Sequence, residues 1–253
     1  MNIAGLPLTD EPAAQRRPAA PAASGLRRWL TAWPLPCAVC RSWQADRLCA
    51  DCLGRFAQPR HRCLRCAMPL EADVTTCGAC LRHPPSVART IAALGYRSPW
   101  DGLIASFKFH RRPGLATLFA QRLQQAVTAH GMPEDCVLIP VPLSEARLRE
   151  RGYNQAWEVA RRLAGLLYLP ADARSLCRLV DTPHQVGLPR EQRLANVARA
   201  FAVDPLRRGR VTGRHVALVD DVMTTGATLE GAARALLQAG AVSVQAWVVA
   251  RAD

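Results

Sequence analysis

Two patterns predict a parallel α/β sheet flanked by helices, with a small cysteine-rich module ahead of it. From Ser86 onward, short apolar segments alternate with amphipathic ones, the signature of β-α-β units joined by right-handed crossovers. Before Ser86, eight cysteines form four Cys-x-x-Cys pairs between positions 37 and 80, where no long apolar run could build a core. The 253 residues suffice for one sizeable core and one small module. Composition is globular, 49% hydrophobic and 21% charged, and no apolar run approaches the ~20 residues of a membrane helix, which excludes an integral membrane protein. The expected divisions are a tail over 1–34, the cysteine module over 35–85 and the α/β domain over 86–253.

The elements follow in order. The tail is rich in Pro and Ala and reads as flexible, apart from Leu26, Trp29, Leu30 and Trp33, whose helical spacing ends at Pro34. That short amphipathic piece is expected to pack on the cysteine module. Ile91–Arg97 reads as a strand. Gly114–Val127 reads as a helix with Leu115, Leu118, Phe119, Leu123 and Val127 on one side. Val137–Val141 is a short strand, and Asn154–Leu167 a helix that turns Ala156, Val159, Ala160, Leu163 and Leu167 inward. A polar stretch over roughly 178–200 precedes a buried strand His215–Val219, a helix Thr228–Gln238 and a strand Val242–Val249. Gly240 stands where a helix ends in a left-handed residue.

Charge points to an anionic partner. The formal net charge is +13, and 32 of the 33 basic residues are Arg, leaving Lys108 as the sole lysine. Nucleic acid, a phosphorylated metabolite or a membrane surface all fit such an excess. Residues 37–84 carry seven Arg and four acids, a balance that two four-thiolate zinc sites would bring to about −1. Residues 85–253 hold 22 basic and 14 acidic residues, so a polyanion meets the α/β domain first.

The start of the chain lacks the apolar stretch of a secretory signal, which makes the cytoplasm the expected compartment. In a reducing compartment, paired cysteines read as metal ligands before disulfides. The spacings are C-x2-C-x8-C-x2-C for Cys37, Cys40, Cys49 and Cys52, and C-x2-C-x10-C-x2-C for Cys63, Cys66, Cys77 and Cys80. Two knuckles complete a tetrahedron around one ion, so two structural zinc sites follow. Sequential filling is simplest, and filling the first knuckle with the third obeys the same chemistry. An all-thiolate site has no open position for catalysis. Cys136 and Cys177 lack such partners and read as buried hydrophobes.

The most informative segment runs from Val216 through Asp220-Asp221 and Thr224-Thr225-Gly226-Ala227-Thr228 to Leu229. An apolar strand delivers two carboxylates at its end, and a hydroxyl-rich turn then opens a helix. Loop amides, Thr hydroxyls and the helix N-terminus suit a phosphate, and carboxylates accept hydrogen bonds from vicinal hydroxyls. A ribose bearing a 5-phosphate satisfies both halves. Neither a G-x-x-x-x-G-K-[ST] nor a G-x-G-x-x-G run occurs, and no nucleophile is paired with a base.

This segment resembles the phosphoribosyl pyrophosphate motif of type I phosphoribosyltransferases. Ile139-Pro140-Val141-Pro142-Leu143, Arg147 through Gln155, Gln192 through Val197, Phe201, Phe107-Lys108-Phe109 and the two four-cysteine sets resemble the ComF (competence-associated) proteins over about residues 35–252. The resemblance implies a type I phosphoribosyltransferase-like sheet with a double zinc ribbon at its N-terminal side. It implies that Asp220 and Asp221 hold the ribose hydroxyls, that Thr224, Thr225, Gly226, Ala227 and Thr228 hold the 5-phosphate, and that Arg151, Gly152 and Lys108 approach the pyrophosphate. Mg²⁺ would bridge pyrophosphate and ribose oxygens, and Asp181–Asn196 would form a flap that excludes water. ComF proteins are linked with DNA uptake in natural transformation, which brings single-stranded DNA and the uptake helicase in as expected partners. The rival expectation is a binding protein without turnover, which senses phosphoribosyl pyrophosphate or handles single-stranded DNA, with Trp100, Phe107, Phe109, Tyr153 and Trp157 lying among basic residues.

Overall fold

The computed structural model describes residues 34–179 and 200–252. The tail, its Leu26–Trp33 piece and the Asp181–Asn196 segment lie outside the described residues. Strands β1 (Leu35–Pro36) and β2 (Trp43–Gln44) pair antiparallel around the first knuckle, and helices α1 (Ala50–Phe56) and α2 (Gly78–Arg82) carry Cys52 and Cys80 inward.

The main sheet has four parallel strands, β3 (Arg89–Gly95), β4 (Cys136–Pro140), β7 (His215–Met223) and β8 (Ser243–Arg251), in the order β3-β8-β7-β4. β4 and the centres of β7 and β8 are buried on both faces, as a parallel sheet covered by helices requires. Helices α3 (Trp100–Phe109), α4 (Leu115–His130) and α6 (Gln155–Leu167) cover one face around Ile104, Phe119, Leu123 and Leu163. Helix α7 (Ala227–Gln238) covers the other through Leu229, Ala232, Ala233 and Leu236. The short strands β5 (Leu176–Arg178) and β6 (Phe201–Val203) pair beside it. No described helix is long and apolar enough to cross a membrane.

Four departures from the expected elements have physical causes. β7 runs to Met223 instead of stopping at Val219, because β8 is equally long and Asp220, Val222 and Met223 pair with Val248, Ala250 and Arg251. The acid pair therefore sits inside the strand's last turn of pleat, not beyond it. Helix α3 buries Trp100, Ile104 and Phe107 at helical spacing, which the apolar Leu103, Ala105 and Phe109 on its other faces concealed. A further helix, α5 (Glu145–Arg151), has no buried residue and is held by its Ser144 cap and by Gly152, whose φ of 79° ends it. Cys136 is buried as expected, but Cys177 is exposed, since β5 is a short edge hairpin with solvent on one side.

The cysteine module is welded to the sheet domain. Cys37, Leu48, Cys49 and Cys52 share one buried cluster with α3 and α4. The Trp100 indole N–H donates to the Phe56 carbonyl at 2.8 Å, and the Thr90 N–H to the Leu64 carbonyl at 2.8 Å.

Candidate functional site

Asp220 and Asp221 follow one another near the C-terminal end of β7. Asp221 turns to the α3 side, where its Oδ1 lies 2.8 Å from Lys108 Nζ; the two side chains are 11% and 19% exposed. The Asp220 carboxylate accepts the Asp221 N–H at 2.8 Å. Burial and the adjacent Asp221 charge push Asp220 up to about 7, while Lys108 works in the opposite direction. Lys108 thus supplies the counter-charge of a close acid pair.

The end of α3 is gripped by the turn between α5 and α6. The Tyr153 hydroxyl donates to the Phe107 carbonyl, and Gln155 Nε2 donates to the Lys108 carbonyl at 3.5 Å. The Arg151 guanidinium lies 5.0 Å above the Phe109 ring and donates from Nη1 to Gln155 Oε1 at 3.1 Å. Its Nε is buried and has no hydrogen-bond partner among the described residues. Burial pushes the Tyr153 hydroxyl up, and so do the Glu158 and Asp221 charges, with Arg151 opposing them. The turn is tied to the sheet by the Val141 N–H to the Val219 carbonyl at 2.9 Å and by Asn154 Nδ2 to the Val141 carbonyl at 3.1 Å. Asn154 also caps α6 by accepting the N–H groups of Ala156 and Trp157 at 2.9 and 3.3 Å. Lys108, Arg151, Gly152 and the acid pair, up to 113 positions apart in the sequence, therefore meet at the C-terminal ends of β4 and β7. Tyr153 and Gln155 belong to the same constellation: Tyr153 stood out in the sequence only as an aromatic among basic residues, and Gln155 only as the end of the Arg147–Gln155 stretch.

Thr224, Thr225 and Gly226 form the turn into α7, with both threonines exposed. Gly226 has φ 82°, a left-handed conformation, and a Cβ built there would lie 2.6 Å from the Met223 Cε. No side chain caps α7, and the Ala227 N–H makes only a long 3.4 Å contact with Thr225 Oγ1. The first-turn N–H groups and the helix dipole are thus presented to an anion. A cavity of about 500 Å³ adjoins the turn at Thr225, Gly226 and Ala227; its far wall is Cys66, Cys77 and Cys80, and neither Asp220 nor Asp221 lines it.

The cysteines resolve into two sequential sets. Within Cys37, Cys40, Cys49 and Cys52, and within Cys63, Cys66, Cys77 and Cys80, the sulfurs all lie within 4.8 Å of one another, which settles the pairing against interleaving. Backbone N–H groups of Cys49, Cys52 and Cys77 point at Cys37, Cys49 and Cys63 sulfurs at 3.3 to 3.5 Å. Such donors, against burial, bring Cys37 down to about 6 and Cys63 to about 7. Burial and neighbouring thiolates push Cys52 up to about 12. Four sulfurs so close can hold a cation, and a soft tetrahedral ion such as zinc fits the donor set.

The family model for the phosphoribosyl transferase domain matches residues 173–253. The chain is 32% identical over 208 residues to the DNA utilization protein YhgH of Salmonella typhi, covering 81% of this chain and 90% of that one. It is also 32% identical over 209 residues to Competence protein F of Haemophilus influenzae, with the same coverage. The chain belongs to the ComF family. Competence protein ComFC of Bacillus subtilis is a more distant relative, 26% identical over 214 residues and 81% of this chain. Among solved structures, an allosteric regulatory enzyme of purine biosynthesis aligns with 57% of this chain and 29% of its own at 18% identity and a TM-score of 0.37. This ComF protein accordingly combines a type I phosphoribosyltransferase-like sheet with two four-cysteine clusters.

Proposed function

We propose that this ComF protein binds phosphoribosyl pyrophosphate with Mg²⁺ at the C-terminal end of β7 and transfers the phosphoribosyl group to an acceptor. The observation that carries the reading is the meeting of Lys108, Arg151 and the Asp220–Asp221 pair beside an uncapped helix N-terminus. In this reading Asp220 and Asp221 accept hydrogen bonds from the ribose hydroxyls. The amides and hydroxyls of Thr224, Thr225, Gly226, Ala227 and Thr228 hold the 5-phosphate. Lys108 exchanges Asp221 for the pyrophosphate, and the unpartnered Arg151 Nε and the turn at Gly152 complete that subsite. The carboxylates are hard oxygen donors that suit Mg²⁺, which supplies charge neutralisation of the departing pyrophosphate when bound. As the bond from sugar to pyrophosphate loosens, Lys108 and Arg151 stabilise the charge that develops on the leaving oxygens. We infer competence or DNA utilization, the processes in its relatives' names, as the process it serves, and the cytoplasm as its compartment.

Calorimetry with phosphoribosyl pyrophosphate and Mg²⁺ tests the assignment. Binding should be measurable in the wild-type chain and lost in the variant Asp220→Ala with Asp221→Ala. Unchanged affinity in that variant would remove the ribose assignment. Pyrophosphate release across a panel of bases and single-stranded DNA then separates a transferase from a protein that binds without turnover.

A further inference from the structure

At the opposite end of the sheet, four arginines surround a concave surface that the proposed site does not use. Arg214 immediately precedes β7 and stands six positions before Asp220, which separates the two ends by roughly 20 Å of strand. Two adjoining hollows of about 320 and 820 Å³ open there, and Arg174, Arg207, Arg210 and Arg214 line both. Ligands of parallel α/β sheets gather at the C-terminal ends of the strands, so that site gives no reason for cations here.

The local acids are already committed. Asp172 takes the Arg207 guanidinium at 3.1 Å, the Ser175 hydroxyl at 2.9 Å and the Arg174 N–H at 2.8 Å. Asp204 caps the turn of 3-10 helix over Pro205–Arg210 by accepting the Leu206 N–H at 2.9 Å. Arg208 has an ordinary structural task, donating to the Ala239 carbonyl at the end of α7 at 3.3 Å. Arg174, Arg210 and Arg214 are exposed and have no carboxylate within ion-pair reach among the described residues. Three uncompensated guanidinium forks around one concavity fit the oxygens of phosphate groups.

Size narrows the ligand. The hollow volumes are in the range of small-molecule sites. The smaller one is walled by Trp157, Pro170 and the Arg207-paired Asp172, while the larger is lined, besides arginine, by Gly209, the almost fully exposed Leu206 and Asp204, whose carboxylate is taken by the Leu206 N–H. Four arginines around connected hollows exceed what a single phosphate can use. We propose that this surface is a second anion site, which takes a small ligand bearing two or three consecutive phosphate groups, with the nucleoside di- and triphosphates as its class.

Titration of the full chain with inorganic tripolyphosphate at low ionic strength tests this. The variant Arg174→Gln, Arg210→Gln, Arg214→Gln changes exposed side chains only and should melt at the wild-type temperature. Its tripolyphosphate affinity should fall by at least about tenfold, with phosphoribosyl pyrophosphate affinity unaltered. A charge-matched variant, Arg55→Gln, Arg82→Gln, Arg97→Gln, should lose less than about twofold. Equal losses in the two variants would reduce the effect to net charge and overturn the proposal, as would absence of tripolyphosphate binding to the wild-type chain. A triple variant that loses only a single-stranded oligonucleotide, with tripolyphosphate binding intact, would assign the surface to nucleic acid and likewise overturn it.

Discussion

Replacing Lys108 by Met leaves two adjacent acids without their counter-ion and should destabilise the protein in a pH-dependent way. Two unit charges at about 4 Å attract by about 4 kcal/mol at the effective dielectric of a protein surface, before desolvation is subtracted. The 2.8 Å pair with Asp221 has side chains only 19% and 11% exposed, so solvent screens it incompletely. A net loss of about 2–3 kcal/mol follows, which lowers the melting temperature of a chain this size by about 4–12 °C. Asp220 supplies the pH dependence. Its folded carboxyl is raised to about 7 with Lys108 in place, and Lys108 lowers it. Removing the lysine raises it further. An acid whose folded value exceeds its unfolded one costs stability as pH climbs from the unfolded value through the folded one. The deficit of Lys108→Met should therefore be larger at pH 8 than at pH 5. Urea unfolding of Lys108→Met, Asp221→Asn and the double variant at both pH values measures it, with a coupling of about 1–2 kcal/mol expected at pH 8. A coupling below about 0.5 kcal/mol, or an equal deficit at both pH values, would refute the counter-ion argument.

Two further outcomes are expected. Metal analysis of the purified chain should find two zinc ions, and Cys66→Ser should retain one, because each four-sulfur set is closed within itself; fewer than one zinc in the wild-type chain would remove the double-ribbon reading. Gly226→Ala should lower the melting temperature by about 2–8 °C, since the left-handed conformation costs a Cβ about 1–2 kcal/mol, and the new methyl must also displace the Met223 side chain. A melting temperature within about 1 °C of wild type would show that the turn relaxes freely.

The cysteine spacing and the strand-loop-helix motif were legible because each is a local pattern with one chemical use. Whether knuckles filled in order was not, since C-x2-C pairs bind a metal with any second pair; only the sulfur positions decided it. The helices α3 and α5 were also hidden. One buries three residues in ten and the other none, too few for periodicity to register. Lys108 drew notice as the sole lysine, yet its partner lies 113 positions away, and no local rule connects them.

Residue order alone therefore determined the parallel sheet, the cysteine knuckles and the stretch that carries the acids and the phosphate-type turn. Long-range packing decided the rest: that the knuckles close in sequential pairs, that strand pairing with β8 carries β7 past its acids, and that Tyr153 and Gln155 hold the end of α3 from which Lys108 reaches Asp221. Local propensity acts over a few residues, whereas the meeting of charges across a sheet depends on how helices far apart in the chain cover it.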